Sequence, residues 1–182
     1  MQNPADEIAS VVKLVTTTPS PDVQKRALER YYTSDAGFRH PLCTVPSAHN
    51  SRESVIGIYQ WYRIMSPKIE LEVNSVSYDK EKGKVFLDVT QKFHIRFNPL
   101  PATPARLSVH LSLREENGLY YIALQEDFYH PDDLISLVIP ILASPAHMAL
   151  RAGAISSNIF ARVFQVTFGW WQPSTGERVG SD

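Results

Sequence analysis

The sequence is poor in cysteine, in charge of one sign and in long uncharged apolar runs. Its single cysteine, Cys43, has no partner for an internal disulfide and no CxxC or Cys/His spacing for a zinc site. The 18 basic and 19 acidic residues leave a net charge of −1, and no long basic run favours binding to nucleic acid. No nucleotide loop or nucleophile elbow is present. We therefore predict no cofactor, no metal and no nucleic-acid partner.

The segments that would direct the chain to a membrane or out of the cell are also missing. Residues 1–7 lack the cationic region and apolar core of a secretory signal, and no Asn-x-Ser/Thr acceptor site occurs. No clean apolar stretch reaches the length of about 18 uncharged residues that a spanning helix needs. We expect an intracellular protein, either cytoplasmic or peripheral to a membrane.

Three helices are predicted in the N-terminal third, each from a start signal followed by apolar residues at helical spacing. The first two begin at Asn3-Pro4 and Ser20-Pro21, where a capping residue precedes proline at the first helical position. Residues 50–53 have capping-box spacing for the third. Residues 34–47, between the second and third helices, are predicted to form a loop.

At Lys68 the apolar period changes from 3.6 to 2, which predicts antiparallel strands joined by tight turns. Four strands after three helices predict an α+β domain with one apolar sheet face against the helices. The longest strand shows that face most clearly, with Val85, Leu87, Val89, Gln91, Phe93, Ile95 and Phe97 on one side.

The inward face of the last strand, residues 119–130, stays open because a shift of one residue exchanges its two faces. If Tyr121, Ala123, Gln125 and Asp127 point inward, Asp127 becomes a buried carboxylate near His40. If Ile122, Leu124, Phe128 and His130 point inward, the interior is apolar and lacks an acid/base pair. The second alternative is favoured because its face is the more apolar.

Residues 131–171 form a C-terminal extension that we predict to be helical and unusually apolar. A helix from residue 146 to about 168 places its polar residues in an arc of roughly 60°, so most of its circumference must be covered. Three surfaces are candidates for covering the apolar side of this helix: a lipid surface, the sheet domain itself or a second copy of the chain. For a lipid surface, the predicted contacts are Phe160, Phe164, Phe168, Trp170, Trp171, Arg151 and Arg162. Residues 172–182 are predicted to be a disordered tail.

One stretch, Tyr31-Tyr32-Thr33-Ser34-Asp35-Ala36-Gly37-Phe38-Arg39-His40-Pro41, resembles a segment of the nuclear transport factor 2-like superfamily. The order and lengths of the elements over residues 3–130 resemble the same superfamily, which includes SnoaL-like and ketosteroid-isomerase-like proteins, and within it a fungal branch termed SigF-like. The resemblance implies three helices that close a strongly bent sheet into a cone with a pocket at its wide end.

The ketosteroid isomerase mechanism does not transfer to this chain. In those enzymes the aspartate of a carboxylate-proline pair is the proton-shuttling base, and here that position is His40. The resemblance also implies an acidic donor on a sheet strand, where the best alignment places apolar Val109.

Three hypotheses about function remain. The first is non-catalytic binding of a sterol-, fatty-acyl- or polyketide-like ligand, with the C-terminal helices on a membrane or lipid droplet. The second is a cofactor-independent isomerase, cyclase or dehydratase with His40 as base and Asp127 or Tyr31 assisting. The third is an adaptor that dimerises through an outer sheet face carrying Thr90, Lys92, His94 and Ser108. Side chains predicted to line the pocket are Tyr31, Phe38, Tyr59, Tyr62, Leu87, Val89, Gln91, Phe93, Val109 and Leu111.

Overall fold

The computed structural model describes residues 1–96 and 98–172, which fall into two compact units divided between Ala143 and Ser144. The first unit contains helices α1 (Pro4–Thr17), α2 (Pro21–Tyr31), α3 (Arg52–Met65) and α4 (Pro131–Val138), a 3₁₀ turn (Pro140–Leu142), and strands β1 (Tyr32–His40), β2 (Cys43–Val45), β3 (Lys68–Asp79), β4 (Lys84–His94), β5 (Ala105–Glu116) and β6 (Leu119–Tyr129). Helix α5 (Ala143–Phe168) makes up most of the described part of the second unit.

The three N-terminal helices lie where the sequence predicts them, although two of their caps differ from the predicted ones. Only α2 begins with a side-chain cap of the expected kind, in which Ser20 accepts a hydrogen bond from the Val23 amide at 3.3 Å. At α1 the carboxylate of Glu7 accepts from two backbone amides that precede the helix, at 2.7 Å each. At α3 the Ser51 hydroxyl instead donates to the carbonyl of Ala36 at 2.8 Å, which ties the helix to β1.

The described strands form one mixed sheet in the order β2-β1-β6-β5-β4-β3. The α+β prediction is therefore confirmed, but the prediction of a loop over residues 34–47 is wrong, because β1 and β2 occupy most of it. Strand β1 runs parallel to β6, whereas the other pairs are antiparallel. In β1 most residues are buried without alternation, so the strand carries no period of two.

The helices and the inner sheet face share one core. Ile8, Val15, Leu28 and Val55 are fully buried from the helix side, and the predicted inner face of β4 meets them through Val85, Leu87 and Val89. Gln91 is also buried on this face. Ile95 follows the end of β4, and Phe97 lies outside the described residues.

A bulge in β6 decides which side chains face the interior. Ser112 of β5 pairs with Leu124, but Leu113 pairs with Ile122, so Ala123 is an extra residue on β6. Before the bulge Ile122 is fully buried, as in the favoured alternative. Beyond it Phe128 is exposed while Gln125 and Asp127 face inward, which contradicts that alternative for the second half of the strand.

The first unit extends further along the chain than predicted. The sequence predicts that the helical extension begins at residue 131, but α4 packs with the sheet domain and buries Ser136 and Leu137. The Thr103 hydroxyl donates to the carbonyl of Ser136 at 3.0 Å. Because these contacts hold α4 on β5 and the segment before it, the division falls after the 3₁₀ turn.

Helix α5 buries none of its side chains. Most of its large apolar residues are exposed, and after Gly169, which has a positive φ of 67°, Trp170 stacks on Phe164 and Phe168 with ring centroids 5.6 and 5.0 Å apart. No helix in the described ranges combines the length and the apolarity needed to cross a membrane. The predicted disordered tail, apart from Gln172, lies outside the described residues.

Candidate functional site

The first unit contains a cavity of about 180 Å³ between the inner sheet face, α1, α3 and α4. Its walls are mostly apolar. The mouth is marked by Leu42, Trp61 and Val138, which line the cavity and are also exposed on the surface. The polar residues of its lining are Thr16, His40, Tyr59, Tyr62, Gln91, Gln125, Asp127 and Tyr129.

Six of the side chains predicted to line a pocket do line this cavity, namely Tyr59, Tyr62, Val89, Gln91, Phe93 and Val109. The structure places the other four elsewhere. Phe38, Leu87 and Leu111 are fully buried in the core, and Tyr31 lies at the end of α2 with its ring 5.4 Å from the Arg30 guanidinium carbon. Tyr31 is therefore not placed to assist chemistry in the cavity.

Sequence reasoning missed the part of the lining that comes from α4. Leu134, Leu137 and Val138 close one side of the cavity, and we had assigned them to the C-terminal extension. The signal was present in the proline and two acidic residues that begin α4 as a separate short helix. Trp61 and Met65 were also missed, although Tyr62 and Met65 share one face of α3 at a spacing of three.

His40 stands at the end of β1 and is 8% exposed. Its Nδ1 accepts a hydrogen bond from the Leu42 amide at 3.2 Å, and its ring lies 5.2 Å from that of Tyr129 and 5.8 Å from that of Tyr62. Burial lowers the pKa of His40 from 6.5 to about 4. At neutral pH the imidazole is therefore uncharged with its proton on Nε2, which makes it a hydrogen-bond donor to a ligand and a weak base.

Asp127 is the carboxyl group of the cavity. Gln125 donates to its Oδ1 at 2.9 Å, and among the described residues no cationic side chain contacts it. Burial raises the pKa of Asp127 from 3.8 to about 7, while the hydrogen bond from Gln125 acts in the opposite direction. Around neutral pH this carboxyl group therefore exists in both protonation states.

The Gln125 amide is held in one orientation by two tyrosines. The hydroxyls of Tyr32 and Tyr59 both donate to its Oε1, at 2.5 and 2.9 Å, so its Nε2 is turned towards Asp127. Burial raises the pKa of both tyrosines, which keeps them protonated donors. On the same inner sheet face, Gln91 of β4 donates to the hydroxyl of Tyr129 of β6.

The histidines of β4 and β5 lie outside the cavity and apart from one another. His94 contacts Glu70 at 2.9 Å, whereas His110 contacts Glu126 at 3.0 Å and stacks on Phe86. The described residues contain no cluster of ligands that could hold a metal ion. Thr90, Lys92, His94 and Ser108, the outer-face residues of the dimer hypothesis, are all at least partly exposed.

A mixed sheet closed by three N-terminal helices around a cavity defines the ketosteroid-isomerase-like, or NTF2-like, class of cone-shaped domains. Solved structures of this class are similar to the chain. A ketosteroid-isomerase-like protein from Catenulispora acidiphila, in complex with trimethylamine, is 16% identical, with a TM-score of 0.54 over 73% of this chain and 92% of the other. A putative SnoaL-like isomerase from Agrobacterium tumefaciens is 9% identical, with a TM-score of 0.55 over 69% and 97% of the two chains.

An NTF2-like protein from Burkholderia pseudomallei is 12% identical, with a TM-score of 0.52 over 71% of this chain and 95% of the other. At these identities the similarity shows the fold. The sequence profile of the SigF NTF2-like domain matches residues 1–170, and the chain belongs to that family. This match confirms the resemblance found in the sequence. No curated protein matches the chain.

Proposed function

We propose that the cavity binds a small, mainly apolar ligand that carries one hydrogen-bonding group. The observation that carries this proposal is an apolar-walled space into which one carboxyl group, Asp127, and one neutral imidazole, His40, bring their polar atoms. Ligand pockets in proteins usually combine apolar walls with a few polar groups that fix orientation.

The size of the cavity limits the ligand. An engineered apolar cavity of about 150 Å³ holds one benzene molecule, and this one measures about 180 Å³. A ligand with one ring or a short acyl chain fits the space as it stands. A sterol or a long acyl chain does not fit unless the walls move, so we propose the smaller class.

We propose that the ligand enters the cavity when helix α4, which forms one of its walls, moves away from the sheet. This helix has only 8 residues, and its backbone is tied to the neighbouring segment by the hydrogen bond from Thr103 to the carbonyl of Ser136. A second tie joins the carboxylate of Asp133 to the Arg106 amide at 3.2 Å. Short elements held by few bonds open locally at low free-energy cost.

Titration with benzyl alcohol, followed by NMR chemical shifts, tests the proposal. We expect saturable shifts at cavity residues such as Tyr62 and Val109. Val138→Trp, at the mouth, should raise the Kd for benzyl alcohol at least about tenfold by filling the entrance. Ile139→Trp is the matched control, because the neighbouring side chain is also exposed and does not line the cavity, and it should leave the Kd within about twofold. Equal effects of the two variants would contradict the assignment.

A second candidate function is proton transfer on a small carbonyl compound, supported by the pKa of about 7 at Asp127. A base works best when its pKa lies near the working pH, and His40, with a pKa of about 4, is a poorer one. In this scheme Asp127 removes a proton from the carbon beside the carbonyl, and His40 Nε2 donates to the carbonyl oxygen. Deuterium uptake by cyclohexanone in D₂O tests it: uptake that Asp127→Asn leaves unchanged would exclude Asp127 as the base.

We propose further that α5 binds an anionic lipid surface. From residue 144 to residue 172 the sequence has no acidic residue, and Arg151 and Arg162 are its fully charged side chains. At about 100° per residue these arginines lie opposite Phe160 and Phe164. Exposed apolar side chains, arginines on the other face and tryptophans at one end are typical of helices that lie in a lipid interface.

Sedimentation with phosphatidylcholine vesicles, with and without phosphatidylserine, tests this second proposal. Phe160→Glu with Phe164→Glu should abolish binding to both kinds of vesicle. Asn158→Glu with Gln165→Glu makes the same change of charge on the polar arc and should weaken only the salt-sensitive binding to phosphatidylserine. If the wild-type chain remains in the supernatant and elutes as a dimer in size-exclusion chromatography, the apolar side of α5 binds a protein partner and the lipid proposal is wrong.

A further inference from the structure

Within the part of the chain that the structure describes, the carboxyl group of Asp127 has no counter-charge. Of the described residues that line the cavity, none is a lysine or an arginine, and His40 is neutral. Among the described residues, the hydrogen bond to Asp127 comes from the uncharged amide of Gln125. Buried carboxylates in proteins are normally paired with a cation, because the unpaired charge is costly away from water. A ligand that carries a positive charge would therefore supply the missing partner of Asp127.

Aromatic rings dominate the polar side of the same cavity. Tyr62 is the centre of the group, with ring centroids 6.3 Å from Tyr59, 6.1 Å from Phe93 and 5.8 Å from His40, and His40 lies 5.2 Å from Tyr129. All of these side chains line the cavity. The faces of tyrosine and phenylalanine rings attract ammonium groups, and the attraction grows when water is excluded.

We infer that the ligand of this cavity is a small protonated amine with an apolar body of about one ring, whose ammonium group pairs with Asp127. The apolar body then lies against Leu134, Leu137 and Val138 of α4. This inference rests on the proposed binding function and narrows it to one chemical class. It differs from the proton-transfer candidate, which requires a neutral carbonyl compound in the same space.

The inference predicts a definite dependence on pH. Among the described residues, the titratable groups that share the cavity with Asp127 are His40 from β1, Tyr59 and Tyr62 from α3, and Tyr129 from β6, and the charge of Asp127 also acts on Tyr32 from β1. Burial keeps the pKa of His40 low and the pKa values of the four tyrosines high, so all of them stay neutral between about pH 5.5 and about pH 8. Of these described groups, Asp127 is the one that changes charge in this range, and an ammonium ion binds its ionised form.

With a pKa of about 7 at Asp127, proton linkage lowers the affinity for an amine by about 30-fold between about pH 8 and about pH 5.5. A neutral ligand that accepts a hydrogen bond from the protonated carboxyl group behaves in the opposite way, and its affinity falls as the pH rises. The direction of the pH dependence thus separates the two ligand classes.

Benzylamine and benzyl alcohol, which share one ring and differ in charge, provide the test by isothermal titration calorimetry on the full chain. We expect benzylamine to bind at least about tenfold more tightly than benzyl alcohol near pH 8. Its affinity should fall by about 30-fold near pH 5.5. In Asp127→Asn, benzylamine should bind no more tightly than benzyl alcohol. The same variant should still bind benzyl alcohol, which shows that it is folded. If benzyl alcohol binds as tightly as benzylamine at both pH values, the cavity function stands and the amine inference is overturned. If neither compound binds, both fail.

Discussion

Replacing Asp127 by asparagine should make the folded protein more stable, by an amount that grows with pH. Asparagine has nearly the same shape, and its side-chain oxygen can still accept the hydrogen bond that Gln125 donates at 2.9 Å. The substitution removes the ability to ionise. In the wild-type protein the ionised carboxylate is the form that burial disfavours.

The magnitude follows from the two pKa values of the aspartate. Its pKa is about 7 in the folded state and 3.8 ordinarily, so the folded state binds a proton more tightly than the unfolded state does. The contribution to stability is complete below pH 3.8 and is lost as the pH rises towards about 7. A difference of about 3 pKa units corresponds to about 4 kcal/mol. The advantage of Asp127→Asn over wild type should therefore grow by about 4 kcal/mol between about pH 4 and about pH 8.

Urea unfolding of both proteins at several pH values measures this difference directly. Other groups titrate in the same range, and their effects cancel in the comparison if they are not coupled to Asp127. A difference in stability that stays constant with pH would refute the reasoning, since it would mean that Asp127 is ionised at its ordinary pKa. A variant less stable than wild type at every pH would show that asparagine does not keep the contact with Gln125.

Four further substitutions test other parts of the fold. His40→Gln should remove about 3 kcal/mol of the stability loss that the wild type shows between pH 6.5 and about 4, because in that range the imidazole gains a proton in the unfolded state but stays neutral in the folded state; acid titration of urea unfolding measures it. Gly37→Ala should lower the free energy of unfolding by about 1–3 kcal/mol, because its Cβ would lie 2.6 Å from Ser47 Oγ. Gly57→Ala has free space around it and should stabilise α3 by up to about 1 kcal/mol. Thermal unfolding compares the two variants. Arg114→Gln removes an exposed ion pair and should cost less than about 1 kcal/mol in the same assay.

The helices and four of the strands could be predicted from the sequence because their apolar residues are periodic. The proline starts of α1 and α2 and the alternation in β4 are local signals, and the structure contains each of these elements. Strand β1 was missed because it is buried almost continuously, between β2 and β6 and under α3, so that alternation is lost. A period that depends on one exposed face cannot reveal such a strand.

The site was harder to predict than the fold. Both His40 and Asp127 were identified as candidates, but their predicted roles depended on which residues of β6 face inward. One extra residue, Ala123, changes the inward set in the middle of that strand, and nothing in the local sequence marks the bulge. The weakness of His40 as a base could not be read from the sequence either, because it comes from burial by Tyr62 and Tyr129, which are distant in the chain.

The fixed amide of Gln125 has a consequence for how protons reach Asp127. A proton relay needs each member to accept a proton on one side and release one on the other, as water and hydroxyl groups do. An amide at ordinary pH does neither, so Gln125 insulates the carboxyl group from the hydroxyls of Tyr32 and Tyr59, although hydrogen bonds connect all four groups. The hydrogen bond to Gln125 therefore gives Asp127 no path for exchanging protons with Tyr32 or Tyr59.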